Sequence, residues 1–241
     1  MRALLTDALR TLVPPRTDRH GPLPPLMLLL TVATGVVDAV SYLGLGHVFV
    51  ANMTGNVVFL GFALAGAPGL SATASLVSLA AFLAGALAGG RLGSRMAAHR
   101  GRLLAVATGV QTVLTAAAAV TDAVTDGSGR YALIVLLGLG MGLQNAVARR
   151  LGVPDLTTTV LTLTLTGLAA DSAPAGGAAP RPGRRILSAL AMLLGGVAGA
   201  ALVLHGRPAA ALALAALLLL ATALTAHRVS VPDAHWAPPT T

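Results

Sequence analysis

Apolar runs of about 20 residues, the length a helix needs to cross a bilayer's hydrocarbon core, recur along this chain. They lie at about 24–45, 71–92, 103–121, 130–148, 186–205 and 208–227, and short polar stretches separate them. Charged residues make up 10% of the chain and hydrophobic residues 55%. A soluble domain of this size carries about a quarter charged residues, so too few are present here to face water all round. The expectation is an all-α fold, a polytopic transmembrane helix bundle in a lipid bilayer. Its membrane domain covers 24–227, with an N-terminal tail at 1–23 and a C-terminal tail at 228–241.

Two further apolar stretches are interrupted by polar groups. Residues 47–65 carry Asn52, Thr54, Gly55 and Asn56 at their centre, and residues 155–170 read DLTTTVLTLTLTGLAA after Pro154. Isolated polar groups in lipid are costly, so these segments should face protein or water. Charge indicates how they run. Arg2, Arg10, Arg16 and Arg19 precede the first span; Arg91, Arg95, Arg100 and Arg102 form a second basic group; Arg149, Arg150, Arg181, Arg184 and Arg185 mark two more. The loop at 122–130 instead carries Asp122, Asp126 and one arginine, and the loop near 206 has only Arg207. If both interrupted segments dip in and return to the same side, every Arg-rich loop falls on one side, as the positive-inside rule requires. Six full spans plus two re-entrant or broken segments is therefore the expected topology, in a bacterial plasma membrane with both termini cytoplasmic. Topology also accounts for the net charge of +8, so nucleic acid is not an expected partner.

An internal repeat agrees with this. Gly35-Val36-Val37-Asp38-Ala39-Val40 resembles Gly142-Leu143-Gln144-Asn145-Ala146-Val147, 107 residues on; Thr54 matches Thr162, and the Gly85/Gly89 pair matches Gly195/Gly199. The repeats run from about 24 to 121 and from about 130 to 227. Each holds an odd number of crossings, so the two halves are expected to be inverted repeats, an arrangement common among transporters. Gly85, Gly89, Gly138, Gly142, Gly195 and Gly199 are expected at helix contacts, where small residues let backbones approach. Such faces also leave a homo-oligomer open.

Asp38 is the one acidic side chain well inside a span. Burying it costs roughly 2.5–3.5 kcal/mol on insertion scales. It either binds a cation or proton, or caps the broken backbone of the neighbouring dip; the residues leave both open. Asn52, Thr54, Gly55 and Asn56 in one dip, and Gln144, Asn145, Thr158, Thr159 and Thr162 in the other half, would line the path or satisfy local backbone. Gln111 is expected to bond between helices. Catalysis finds little support: there is no cysteine, no glutamate for a His-Glu-x-x-His motif, and no Gly-x-Ser-x-Gly. No metal site or cofactor is expected.

The run Gly35 to Gly61, with Asp38-Ala39, Gly46, Val48 to Asn56 and Leu60-Gly61, resembles the signature of the YoaK family of bacterial multi-pass membrane proteins. So does Gly142-Leu143-Gln144-Asn145-Ala146 followed by Pro154, Thr158-Thr159 and Leu161-Thr162. The resemblance covers roughly 24–227 and implies a membrane protein of a family without assigned function. Two classes of function are compatible with these features. One is secondary transport or permeation of a small solute, cation or proton through Asp38. The other is a non-transporting scaffold, assembly or signalling protein.

Overall fold

The apolar runs become helices where proline, glycine or serine punctuates them. The computed structural model describes residues 2–125, 128–231 and 234–238; Asp126 and the end of the expected C-terminal tail, 239–241, lie outside the described residues. Among the described residues the helices are α1 (Arg2–Leu12), α2 (Leu23–Gly44), α3 (Met53–Leu64), α4 (Ala72–Arg95), α5 (Arg100–Thr125), α6 (Arg130–Leu151), α7 (Leu161–Ala170), α8 (Pro182–Leu204) and α9 (Pro208–Val229). Prolines sit in the first turns of α2, α8 and α9, where a missing N–H costs nothing. The Ser71 hydroxyl caps α4 by accepting from the Ala74 N–H at 3.2 Å. Gly152 ends α6 in the left-handed conformation.

Six of these helices, α2, α4, α5, α6, α8 and α9, are long and apolar enough to cross a membrane, while α3 and α7 are too short. The bundle is held together by paired helices: α4 on α6, α2 on α8 and α5 on α9, with α6 also against α5 and α2 against α9. Glycines set the closest approaches. A Cβ at Gly85 would strike the Leu139 carbonyl, one at Gly89 the Leu143 backbone, and one at Gly93 the Arg150 side chain. Residue numbers rise together along both helices, so α4 and α6 run parallel. In the same way Gly195 abuts the Val32 carbonyl and Gly199 abuts Val36 and Ala39, which makes α2 and α8 parallel. The reciprocal contacts recur too: Gly142 lies on Phe82 and Ala86, and Gly35 on Met192 and Gly196. The contacts of Gly85, Gly89 and Gly142 therefore reappear in the other pair, 107 residues apart in one partner and 110 in the other.

These registers place the starts of α2, α5 and α8 and the ends of α4, α6 and α9 at one end of the bundle. All arginines except Arg130 and Arg207 lie at this basic end. Ion pairs hold the segment at 171–185 in place. Arg185 bridges Asp155 at 3.0 Å and Asp171 at 2.8 Å, and Arg181 joins Asp155 at 2.8 Å. The N-terminal tail forms helix α1, which docks on α8 through an Asp7 carboxylate that accepts from the Arg184 N–H at 3.0 Å.

Backbone-to-backbone packing at Gly85 leaves no volume for a side chain. Gly85→Leu is expected to lose most folded protein from the membrane, whereas Gly90→Leu, whose Cβ would meet open space, is expected to retain near-normal yield. Size-exclusion profiles and thermal melts of the two detergent-extracted variants check this.

Candidate functional site

The chain leaves α2 at Gly44 and turns back toward the interior. His47 sits in the left-handed region, and Tyr42 stacks on Phe49 with ring centres 5.0 Å apart. Ala51 then reaches the level of Asp38, six residues, or about 9 Å, inside the end of α2. The Asp38 carboxylate accepts the Ala51 N–H at 3.1 Å and is also approached by the Val50 N–H. From there α3 climbs back, and Phe59 returns to the level of Phe49, 5.8 Å between ring centres. The segment therefore dips and returns to the end it left.

Asn56 locks the dip. Fully buried, it accepts the Phe49 N–H at 2.9 Å through Oδ1, and its Nδ2 donates to the Phe49 carbonyl at 2.6 Å and to the Ser78 hydroxyl at 3.1 Å. Ser78, on α4, donates to the same carbonyl at 2.6 Å. One asparagine thus bonds both the N–H and the carbonyl of a residue that has left helical pairing at membrane depth.

The second dip is built the same way from the basic end. Residues 152–160 fold back along α6, and the Thr159 hydroxyl donates to Asn145 Oδ1 at 2.5 Å, the position equivalent to the Asp38 contact. Gln144 Nε2 donates to Thr158 at 3.0 Å and to Thr34 on α2 at 2.9 Å, and Gln144 Oε1 accepts from Gln111 on α5 at 2.8 Å. Gly167 and Asp171 then lie beside Arg185 in the first turn of α8, so α7 returns to the basic end. Gln111, Gln144, Thr34 and Thr158 are all buried. They form a polar centre that joins three spans and one dip. Apolar neighbours, Leu30, Leu104, Ala107, Val147 and Ala148, close round the Gln pair and leave no room for a water molecule.

The expected residues therefore separate into two groups. Asp38, Asn56, Gln144, Asn145, Thr158 and Thr159 hold the dips to the spans. The Asn52, Thr54 and Thr162 side chains face outward, and Gly55 packs under the Phe49 ring. Both half-helices begin without a side-chain cap, α3 after Asn52 and α7 after Val160. Sequence reasoning missed Ser78 and Thr34: one hydroxyl in an apolar span reads as an ordinary back-bonding residue, as Thr34 also is toward Leu30.

The two ends differ. Away from the basic end, a cavity of about 380 Å³ opens between the last turns of α2 and α5 and the start of α9, lined by Val40, Gly44, Leu45, Asp122, Arg207 and Pro208. Exchanging the halves places its counterpart between the ends of α6 and α9 and the start of α5. There Trp236 fills the space against Gly101. Arg100 fastens the plug: its backbone N–H donates to the Ala237 carbonyl at 2.8 Å, and its guanidinium bonds the Leu151 and Trp236 carbonyls and lies 3.0 Å from His20 Nδ1. Burial, and then the Arg100 charge, push the His20 imidazole down to about 4.

The model of the family described as "Protein of unknown function (DUF1275)" matches residues 26–225. The chain belongs to the DUF1275 family. It is 33% identical over 151 residues to the UPF0700 transmembrane protein YoaK of Bacillus subtilis (strain 168), covering 61% of this chain and 65% of that protein. The aligned part thus spans just under two thirds of the relative's length. No solved structure matches. Six apolar helices and a transmembrane relative make this DUF1275 chain a multi-pass membrane protein.

Asn56→Ala removes the acceptor of the Phe49 N–H, at a cost of about 1–3 kcal/mol for a buried group left unpaired, while the Phe49 carbonyl keeps the Ser78 hydroxyl. Asn145, whose bonds go to Thr159 and to the Met141 carbonyl, bridges side chains to a helix that keeps its own pairing. Asn56→Ala is expected to lower the melting temperature in detergent clearly more than Asn145→Ala. His20 yields a second expectation. A histidine held neutral below its unfolded value near 6.5 contributes fully above that pH and loses its contribution as pH falls toward about 4. Fluorescence of the single tryptophan, Trp236, is expected to shift to the red over that window, and His20→Gln is expected to flatten the shift.

Proposed function

We propose that this protein is a secondary transporter or permease for a small solute or ion, built from two inverted halves in the plasma membrane with its basic end and both termini cytoplasmic. One observation carries the proposal. Two half-spanning segments enter from opposite ends: Asp38 holds Ala51 just before the uncapped start of α3, while Asn145 and Gln144 hold Thr159 and Thr158 just before the uncapped start of α7. Interrupted helices of this kind offer free amide dipoles at mid-depth, which a continuous span cannot do.

The asymmetry of the ends supports a carrier more than an open pore. The cavity beside Asp122 and Arg207 is accessible while its counterpart is plugged by Trp236 and the polar centre is shut. A solute reaching Asp38 from the open side would compete for the carboxylate that holds Ala51. Binding and movement of the dip would be coupled through that one bond. The scaffold reading rests on the same bond seen statically, since Asp38 and Asn56 are already engaged by their own backbone.

Asp38→Asn separates the two. The amide keeps an acceptor for the Ala51 N–H but cannot carry the charge. In proteoliposomes, current and internal pH would be followed during sodium, potassium and pH jumps and with a panel of amino acids, sugars and organic acids. The expected outcome is charge movement in the unaltered protein and its loss, at least about tenfold or 1.4 kcal/mol, in Asp38→Asn with unchanged membrane yield. Equal flux in the two proteins would remove Asp38 from the path, and no flux in either favours the scaffold.

A further inference from the structure

Helix α1 has three distinct sides. Leu4, Asp7, Ala8 and Thr11 face α8, where Gly183 lies against the Leu4 carbonyl and the Ala8 amide, Asp7 accepts the Arg184 N–H, and Thr11 meets Arg184 Nε at 3.4 Å. These contacts of two turns of α1 all fall on the first turn of α8, and α1 also touches α2. A helix aligned with α8 would instead contact successive turns along it, so α1 crosses α8 steeply. Because α8 spans the membrane, α1 lies close to the membrane plane at the level of the basic end.

Roughly 100° round the helix from the docked side lie Leu5, Leu9 and Leu12, with Val13 just beyond the last turn. They are 55%, 63%, 47% and 75% exposed. Continuing round, Thr6 and Arg10 form a third, polar sector, and Arg16 and Arg19 follow in the exposed connection to α2. This order (protein, then apolar, then cationic) is what a helix needs when it is tucked sideways against a span at the boundary between acyl chains and water.

We propose that α1 is an interfacial anchor whose Leu5–Leu9–Leu12 face embeds in the lipid leaflet at the basic end, with Arg10 and Arg16 pairing with anionic headgroups. Charge complementarity selects this occupant: the apolar strip is bordered by arginines whose guanidiniums remain exposed, and a negatively charged leaflet satisfies both. The anchor also has a mechanical consequence. Gly183 and Arg184 precede Arg185, which clamps Asp155 in the second dip, so lipid held by α1 bears on the dip through one turn of α8.

The absence of native cysteine makes the test direct. Single cysteines at Leu5, Leu9, Thr6 or Arg10 of the full chain are spin-labelled and reconstituted in phosphatidylcholine liposomes with and without phosphatidylglycerol. Labels at Leu5 and Leu9 are expected to collide several-fold more with oxygen than with a water-soluble nickel chelate, with the order reversed at Thr6 and Arg10. Phosphatidylglycerol should deepen the Leu9 label, and R10Q/R16Q should abolish that dependence. Free access of the nickel chelate at Leu9 would overturn the proposal, as would exclusion of both probes, which would signal a second protein copy on this face. These labels sit on exposed positions, so folding does not confound the result.

Discussion

Inside a bilayer every backbone N–H and C=O must find a partner within the protein, and this chain twice breaks the helix that would supply one. The rest of the structure follows from how those breaks are satisfied. At the first, Asp38 takes the Ala51 N–H, and Asn56 with Ser78 takes the N–H and the carbonyl of Phe49. At the second, the bonds run between side chains, Asn145 to the Thr159 hydroxyl and Gln144 to the Thr158 hydroxyl, and tie the dip to α6. Each partner is an ionisable, amide or hydroxyl group that would be costly in lipid on its own. Break and polar side chain pay for one another.

That constraint also dictates the helix packing. A dip fits only if the spans beside it lie close together, and glycine is what lets them. Gly35 and Gly142 bring α2 onto α8 and α6 onto α4 at backbone contact, three residues before Asp38 and Asn145 in each case. The glycines and the dip-holding residues are thus one device used twice. Its two copies differ where chemistry would differ: an acid in one, an amide in the other. The mouths differ as well, since one is open beside Asp122 and Arg207 and the other is filled by Trp236 on Arg100.

Much of this was legible in the chain. The spans follow from run length, and the dips stand out because Asn52 to Asn56 and the threonine run interrupt apolar stretches. Asp38 and Asn145 were found through the repeat. Their roles were not, because an acid in a span reads equally as an ion site or as a cap. The structure supplies the cap, while transport remains the use proposed for it. Asn52, Thr54 and Thr162 looked equivalent to Asn56 and Thr158, yet their side chains face outward. In a half-helix, whether a polar residue faces the neighbouring span depends on the rotation of that helix, and a short segment with polar residues on several sides leaves that rotation unspecified.

What the sequence by itself determined is local: how many segments can cross, which cannot, and which loops carry the arginines. Run length against bilayer thickness and loop charge against the positive-inside bias are properties of neighbouring residues. Only the tertiary structure decided the long-range joins. Gln144 meets Thr34 across 110 residues, Arg100 meets Trp236 across 136, and Arg184 meets Asp7 across 177. Each needs two segments brought to hydrogen-bond distance by helix packing, and no periodicity or composition encodes that meeting. The polar centre, the plugged mouth and the docked α1 are therefore products of packing, raised on a topology that the apolar runs had already set.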